Sequence, residues 1–240
     1  MNKTSAEAKE FALQSRPLAE KAKLNNIDLG VAPTNLSLAT VKENASKDMI
    51  VSAQNVHFKE SGAFTGEVSI PMLKEFNIDW VLIGHSERRA YDNETNEKCN
   101  LKIKALIAND MVPVYCVGET LDEFDAGKTK DVVGKQVREG LKDLTKDDVK
   151  KLVVAYEPVW SIGTGKNAST DIAQDVCKFV RDVLKELFGE VADEIRVLYG
   201  GSVKPDNIKA YLSCKDVDGA LVGGASLKID SYEALLNNIL

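Results

Sequence analysis

The chain has only two histidines, His57 and His85, and four cysteines, Cys99, Cys116, Cys177 and Cys214, none of them in a C-x-x-C pair. Thiols so widely spaced argue against both a disulfide framework and a zinc ribbon, and read as the reduced thiols of a cytoplasmic protein. The scarcity of imidazole argues against a histidine-rich metal site. No apolar run outgrows a buried strand, whereas a bilayer-spanning helix needs about 20 such residues. The opening M-N-K-T-S-A-E-A-K-E-F lacks the apolar core of a signal peptide. A basic excess is missing as well, because the net charge is −6 at pH 7. Lys and Arg are interspersed with Asp and Glu, as in Lys142-Asp143 and Lys146-Asp147-Asp148, which describes a solvated surface rather than a nucleic-acid-binding face. An acidic chain still binds an anion where backbone N–H groups and helix N-termini supply the positive potential.

What is present is an alternation of short apolar runs and longer amphipathic segments, with no low-complexity linker to divide residues 1–240 into more than one domain. The strand-like runs are Ile27–Pro33, Met49–Val56, Asp79–Gly84, Met111–Val117, Leu152–Tyr156, Ile195–Tyr199 and Gly219–Val222. Several are apolar throughout, as parallel strands covered on both faces must be. Segments Ser5–Leu24, Asn96–Asn109, Thr170–Phe188 and Ser231–Leu240 carry helical spacing. Such alternation predicts an α/β fold with right-handed crossovers. Polar and Gly-rich residues follow the strands directly: Gly84-His85-Ser86-Glu87, Gly118-Glu119-Thr120, Glu157-Pro158, Gly200-Gly201-Ser202 and Gly223-Gly224. Five strand ends contributing to one face favour a (β/α)8 barrel with its site at the C-terminal mouth. An open sheet would instead call for G-x-G-x-x-G after the first strand, which is absent.

The segment K-L-V-V-A-Y-E-P-V-W-S-I-G-T-G-K (151–166) delivers the carboxylate of Glu157 to a strand end beside a Gly-hinged loop. A positioned carboxylate under a closing lid suits proton abstraction where water must be excluded. His85 ends another strand at a helix start, where the field disfavours imidazolium and a neutral ring donates a hydrogen bond. Base and neutral donor together are what enolisation next to a carbonyl requires. The turns around Gly200-Gly201-Ser202 and Gly223-Gly224 let backbone N–H groups approach a phosphate, and Gly163 in the lid adds another. The loop from His57 to Glu67 carries an apolar tip at Phe64, which either packs back on its own barrel or enters another subunit.

Seven motifs in order together resemble the triosephosphate isomerase family: V-A-P-T (31–34), A-Q-N-V-H-F with G-A-F-T-G-E (53–67), G-H-S-E-R-R (84–89), C-V-G-E-T (116–120), A-Y-E-P-V-W-S-I-G-T-G-K (155–166), Y-G-G-S-V (199–203) and G-A-L-V-G-G-A-S-L (219–227). Ser161 stands where the family often has alanine. The resemblance implies interconversion of D-glyceraldehyde 3-phosphate and dihydroxyacetone phosphate, a step of glycolysis and gluconeogenesis. It implies Glu157 as the shuttling base, neutral His85 as electrophile and Glu87 as support. The base-plus-neutral-histidine pairing is a standard worked case for this very family. It further implies that Gly163, Ser202, Gly223 and Gly224 bind the phosphate, that no cofactor or metal takes part, and that a homodimer forms through the loop around Thr65.

One departure stands out. A barrel of this type needs eight strands, and seven strand-like runs are visible. Family members precede M-N-K-T with a strand ending in asparagine, tryptophan and lysine, so the expectation is a barrel lacking its first strand and its substrate-facing cation. A rescue would place the α-amino group of Met1, or Lys3, in that position. The alternative function is a catalytically impaired phosphate-binding barrel acting as a binding module; a different phosphosugar isomerase fits fewer of the motifs.

Overall fold

Helix α1 (Ser5–Gln14) starts where Thr4 and Glu7 cap each other: the Glu7 N–H donates to Thr4 Oγ1 at 3.4 Å and the Thr4 N–H donates to Glu7 Oε2 at 2.7 Å. The helical stretch expected over Ser5–Leu24 is two helices, because Pro17 starts α2 (Arg16–Leu24) and the first ends at Ser15. The architecture is that of a computed structural model, which describes residues 1–162 and 167–240.

Strand and helix then alternate: β1 (Leu29–Val31), α3 (Leu38–Asn44), β2 (Met49–Ala53), α4 (Ile70–Glu75), β3 (Trp80–Ile83), α5 (Ser86–Tyr91), α6 (Asn96–Ala108) and β4 (Val112–Val117). The second half continues with α7 (Leu121–Asp125), α8 (Thr129–Gly140), β5 (Val153–Tyr156), α9 (Thr170–Phe188), β6 (Arg196–Tyr199), α10 (Ile208–Leu212), β7 (Gly219–Ala220) and α11 (Ile229–Asn237). All seven expected strand runs form strands, each shorter than its apolar run. The bounds of α9 are those read from the sequence, fixed by the Ser169 hydroxyl accepting from the Ile172 N–H and by Gly189 in the left-handed region at φ 71°.

The strands make one parallel sheet in the order β1-β2-β3-β4-β5-β6-β7. Each strand pairs with the next in sequence, the arrangement that successive right-handed βαβ units produce. The sheet curls until its ends meet through side chains. Tyr232 Oη donates to the Gly30 carbonyl at 2.9 Å, Arg196 pairs with Asp28 at 2.5 Å, and Lys21 Nζ donates to Asn237 Oδ1 at 2.8 Å.

Alternate strand residues build two apolar layers. Val114, Cys116, Val153 and Ala155 face inward with Trp80, Leu82, Leu198 and Leu221, while Tyr115, Val154, Tyr156 and Val197 face the surrounding helices. Inward layers of alternate residues are the interior of a packed barrel. All four cysteines are free thiols. Among the described residues no helix is long and apolar enough to cross a membrane.

Candidate active site

Strand β5 ends at Tyr156, so the next residue, Glu157, stands at the mouth with only 3% of its side chain exposed. Its backbone N–H donates to the Val117 carbonyl at 2.7 Å, which extends the β4–β5 ladder one residue past the strands. Its carboxylate accepts twice, from His85 Nε2 at 3.0 Å and from the Ser86 N–H at 3.1 Å. Two glycines make room for it. A Cβ on Gly118 would lie 1.8 Å from the Glu157 carbonyl oxygen, and one on Gly200 would lie 2.8 Å from Glu157 Cγ. No side chain of any kind fits at either place without moving the base.

His85 leaves β3 and caps α5, its Nδ1 accepting from the Glu87 N–H at 3.2 Å. An Nδ1 that accepts carries no proton, so the ring is the neutral tautomer with its hydrogen on Nε2, aimed at Glu157. Burial opposes protonation of this ring most strongly, but the hydrogen bond to Glu157 and the charges of Glu157, Glu87 and Glu94 outweigh it and hold His85 above its ordinary value. The helix-start field expected to push the other way is overcome while the carboxylate lies alongside.

Of the residues singled out from the sequence, His85 and Glu157 are thus in contact. Glu87 is exposed and reaches His85 through its backbone N–H and its charge. Ser202 is half-buried after β6, where its carbonyl accepts from Asn207 Nδ2 at 3.1 Å. Gly223 and Gly224 are exposed, with nothing within 4 Å of where a Cβ would sit, and they open a short 3-10 turn over Gly224–Ser226. Gly163, with Thr164, Gly165 and Lys166 of the lid, lies outside the described residues. The Lys3 ammonium lies 5.0 Å from the centre of the Phe11 ring, and Met1 is fully exposed.

The start of the lid has an anchor that sequence reading passed over. Glu119 is completely buried, and its Oε1 accepts from Tyr156 Oη at 3.1 Å and from Trp160 Nε1 at 2.8 Å. The Glu119 carbonyl accepts the Val159 N–H at 3.1 Å. Burial raises the Glu119 carboxyl, against the lowering effect of these donors. The only signal in the sequence was its place in C-V-G-E-T after a strand. The loop after β2 folds on itself: the His57 ring stacks on Phe64 at 4.1 Å and on Phe58 at 4.5 Å, while residues 61–67 stay exposed.

Residues 1–239 match the family model described as triosephosphate isomerase. A triosephosphate isomerase of Streptococcus thermophilus is 52% identical over 242 aligned residues, covering 99% of this chain and 94% of that protein. One from Streptococcus pneumoniae shows the same figures, 52% identity over 99% of this chain and 94% of its own length. One from Streptococcus pyogenes serotype M2 is 51% identical over 240 residues, again 99% and 94%. The expectation that a first strand is missing is not borne out: alignment runs through nearly the whole of both chains, and side chains of α11, β6 and α2 join the ends of the described sheet. Base, donor and glycine turns sit on strand ends of one curled parallel sheet, and the match extends from end to end. The chain belongs to the triosephosphate isomerase family.

Proposed function

We propose that the chain interconverts D-glyceraldehyde 3-phosphate and dihydroxyacetone phosphate, with Glu157 as the base and His85 as the electrophile. The observation that carries this reading is the 3.0 Å contact between a buried carboxylate and an imidazole whose other nitrogen already accepts a backbone N–H. A substrate seated at the mouth replaces that contact. Glu157 then faces a carbon-bound proton next to the carbonyl, and Nε2–H faces the carbonyl oxygen. Glu157 removes the proton, negative charge moves to the oxygen, and the Nε2–H bond to that oxygen strengthens. Glu157 loses its charge in the same step, and Nδ1 goes on accepting the Glu87 N–H, which leaves no place there for a second proton. The ring therefore remains neutral as the enediolate forms, and Glu157 returns the proton to the adjacent carbon.

The phosphate falls to Ser202 and to Gly223 and Gly224, the two glycines having open space that suits close approach of an anion, with Gly163 added from the sequence. Residues 1–240 act as one domain. Its four free thiols suit a cytoplasmic location. Homodimer formation through the loop around Thr65 is supported by Leu36, Phe64, Met72 and Tyr91, large apolar side chains left exposed in the segments after β1, β2 and β3.

The test is a coupled assay with each triose phosphate, run on the chain and on Glu157→Gln. Expected is turnover in both directions that falls by about 10²–10⁴-fold in the variant. Binding of a triose phosphate without turnover overturns the reading in favour of a barrel that only binds. Turnover indifferent to Glu157→Gln overturns the assignment of the base.

A further inference from the structure

The backbone ladder between β3 and β4 ends at the pair Ile83–Tyr115. One residue further on, Gly84 turns away into the left-handed region at φ 74°, so its carbonyl no longer points along the ladder. A side chain takes over. Arg89 Nε donates to the Gly84 carbonyl at 2.7 Å and Arg89 Nη2 donates to the Cys116 carbonyl at 3.1 Å, so one guanidinium ties the two strand ends together. Its own position is fixed by Asn96 Oδ1, 2.6 Å from Nη1, and by Tyr115 Oη, 3.3 Å from Nη2. A Cβ on Gly84 would meet Nη2 at 2.9 Å, so the fit is close.

Both tied residues lead directly to the chemistry. Gly84 precedes His85, and Gly84 is held from its other side by Glu94, which accepts the Gly84 N–H at 3.0 Å. Cys116 precedes Val117, whose carbonyl accepts the Glu157 N–H. A second route runs through Tyr115, whose hydroxyl donates to the Gln136 carbonyl at 2.7 Å; the Gln136 side chain in turn brackets Gly118 at 2.7 and 3.0 Å.

We propose that Arg89 is a positioning residue, which sets the separation of His85 and Glu157 by clamping the carbonyls of Gly84 and Cys116. The inference rests on the roles given above to His85 and Glu157. A planar fork is needed, because a lysine ammonium cannot face Gly84, Cys116, Tyr115 and Asn96 together in one plane. An error of about 1 Å between reacting groups costs on the order of 10²-fold in rate.

The experiment compares Arg89→Lys and Arg89→Ala with the unaltered chain, using kcat, KM, thermal stability and NMR titration of the His85 ring. The groups acting on that ring are Glu157, Glu87 and Glu94, and a His57 variant separates the two histidine signals. Expected in both variants is a kcat loss of about 10–100-fold with KM changed less than about threefold. His85 should titrate closer to an ordinary histidine, because the Glu157 contact has opened. Methylguanidinium should restore about tenfold of the kcat of Arg89→Ala, and urea should not. Loss of thermal stability with kcat, KM and the His85 titration unmoved overturns the proposal and leaves Arg89 as a brace. A shifted His85 titration in a chain whose unaltered form shows no turnover supports the clamp while sinking the catalytic roles. Should the Arg89 variants not fold, Asn96→Ala, which loosens only one arm of the fork, carries the same readouts, with a smaller change in the same direction expected and an unmoved His85 signal overturning the proposal.

Discussion

Glu157 and His85 meet at 3.0 Å although the strands that carry them are not neighbours; β4 lies between β3 and β5. Two side chains can bridge a strand only where that strand offers nothing in the way. β4 ends at Val117, and Gly118 follows it with no side chain to offer. The absent side chain at Gly118 leaves room for the Glu157 backbone, whose carbonyl oxygen a Cβ there would meet at 1.8 Å.

Gly118→Ala should for that reason disable the enzyme without touching a reacting group. The added methyl would sit 1.8 Å from the Glu157 carbonyl oxygen, so the backbone of the base must shift. Overpacking of this kind costs about 1–3 kcal/mol in stability, and the displaced base about 10²-fold in kcat. Steady-state kinetics beside urea unfolding would reveal both, and a fully active Gly118→Ala protein would mean Glu157 is not held against this turn.

His85 should couple stability to pH. Despite burial, its neighbouring carboxylates hold its folded value above the ordinary 6.5, so the folded protein grips that proton more tightly than the unfolded chain does. The stability gained is complete below about pH 6.5 and disappears as the pH rises through the raised folded value. The difference in Tm between the chain and His85→Gln should narrow on going from about pH 5.5 to about pH 8.5. A gap that stays constant, or widens, contradicts the His85–Glu157 pairing in solution.

Glu119 offers a contrast between two substitutions. Glu119→Ala removes the acceptor of the buried Tyr156 hydroxyl and of one Trp160 bond, a loss of about 1–3 kcal/mol for a stranded buried donor. Glu119→Gln keeps an acceptor in place and should lose less at pH 7, since the buried carboxylate is itself disfavoured as an ion. Chemical denaturation of both variants checks the order, and equal losses would show that the charge rather than the acceptor matters.

Tyr91 is 84% exposed at the end of α5, too large an apolar surface to be indifferent if copies associate through this face. Tyr91→Asp should leave the barrel's thermal unfolding intact at the level of the single chain while moving the sedimentation coefficient toward a monomer. A variant that sediments as the unaltered chain does would show that no association of copies runs through Tyr91.

Much of this arrangement is legible in the sequence alone. The strands announce themselves because both faces are covered, which makes each run apolar, and α9 is bounded by Ser169 and Gly189, residues whose cap chemistry is local. The break at Ser15 was equally local, since Pro17 fits a helix start far better than a helix middle. Arg89, Gln136 and Glu119 could not be read in this way. Their partners lie up to 41 residues away in the chain, as with Glu119 and Trp160, and nothing in an isolated R-R or G-E announces which carbonyl or indole it will meet. The balance at His85 was hidden for the same reason: its helix start is visible in sequence, and the carboxylate that outweighs it arrives from β5.

The strict sequential order of the sheet also bears on how the molecule is made. Every strand pairs with the one synthesised next, so each βα unit can dock on its predecessor without waiting for a distant partner, and the ladder can grow from β1 toward β7. Among the described residues, contacts that require both ends of the chain include Tyr232 with Gly30, which are 202 residues apart, and Arg196 with Asp28, 168 apart. Closing so long a loop is slow and comes late. A fluorescent reporter pair on α11 and β1 would thus record the last event of folding, and a signal there preceding that of β3 and β4 would reverse this order.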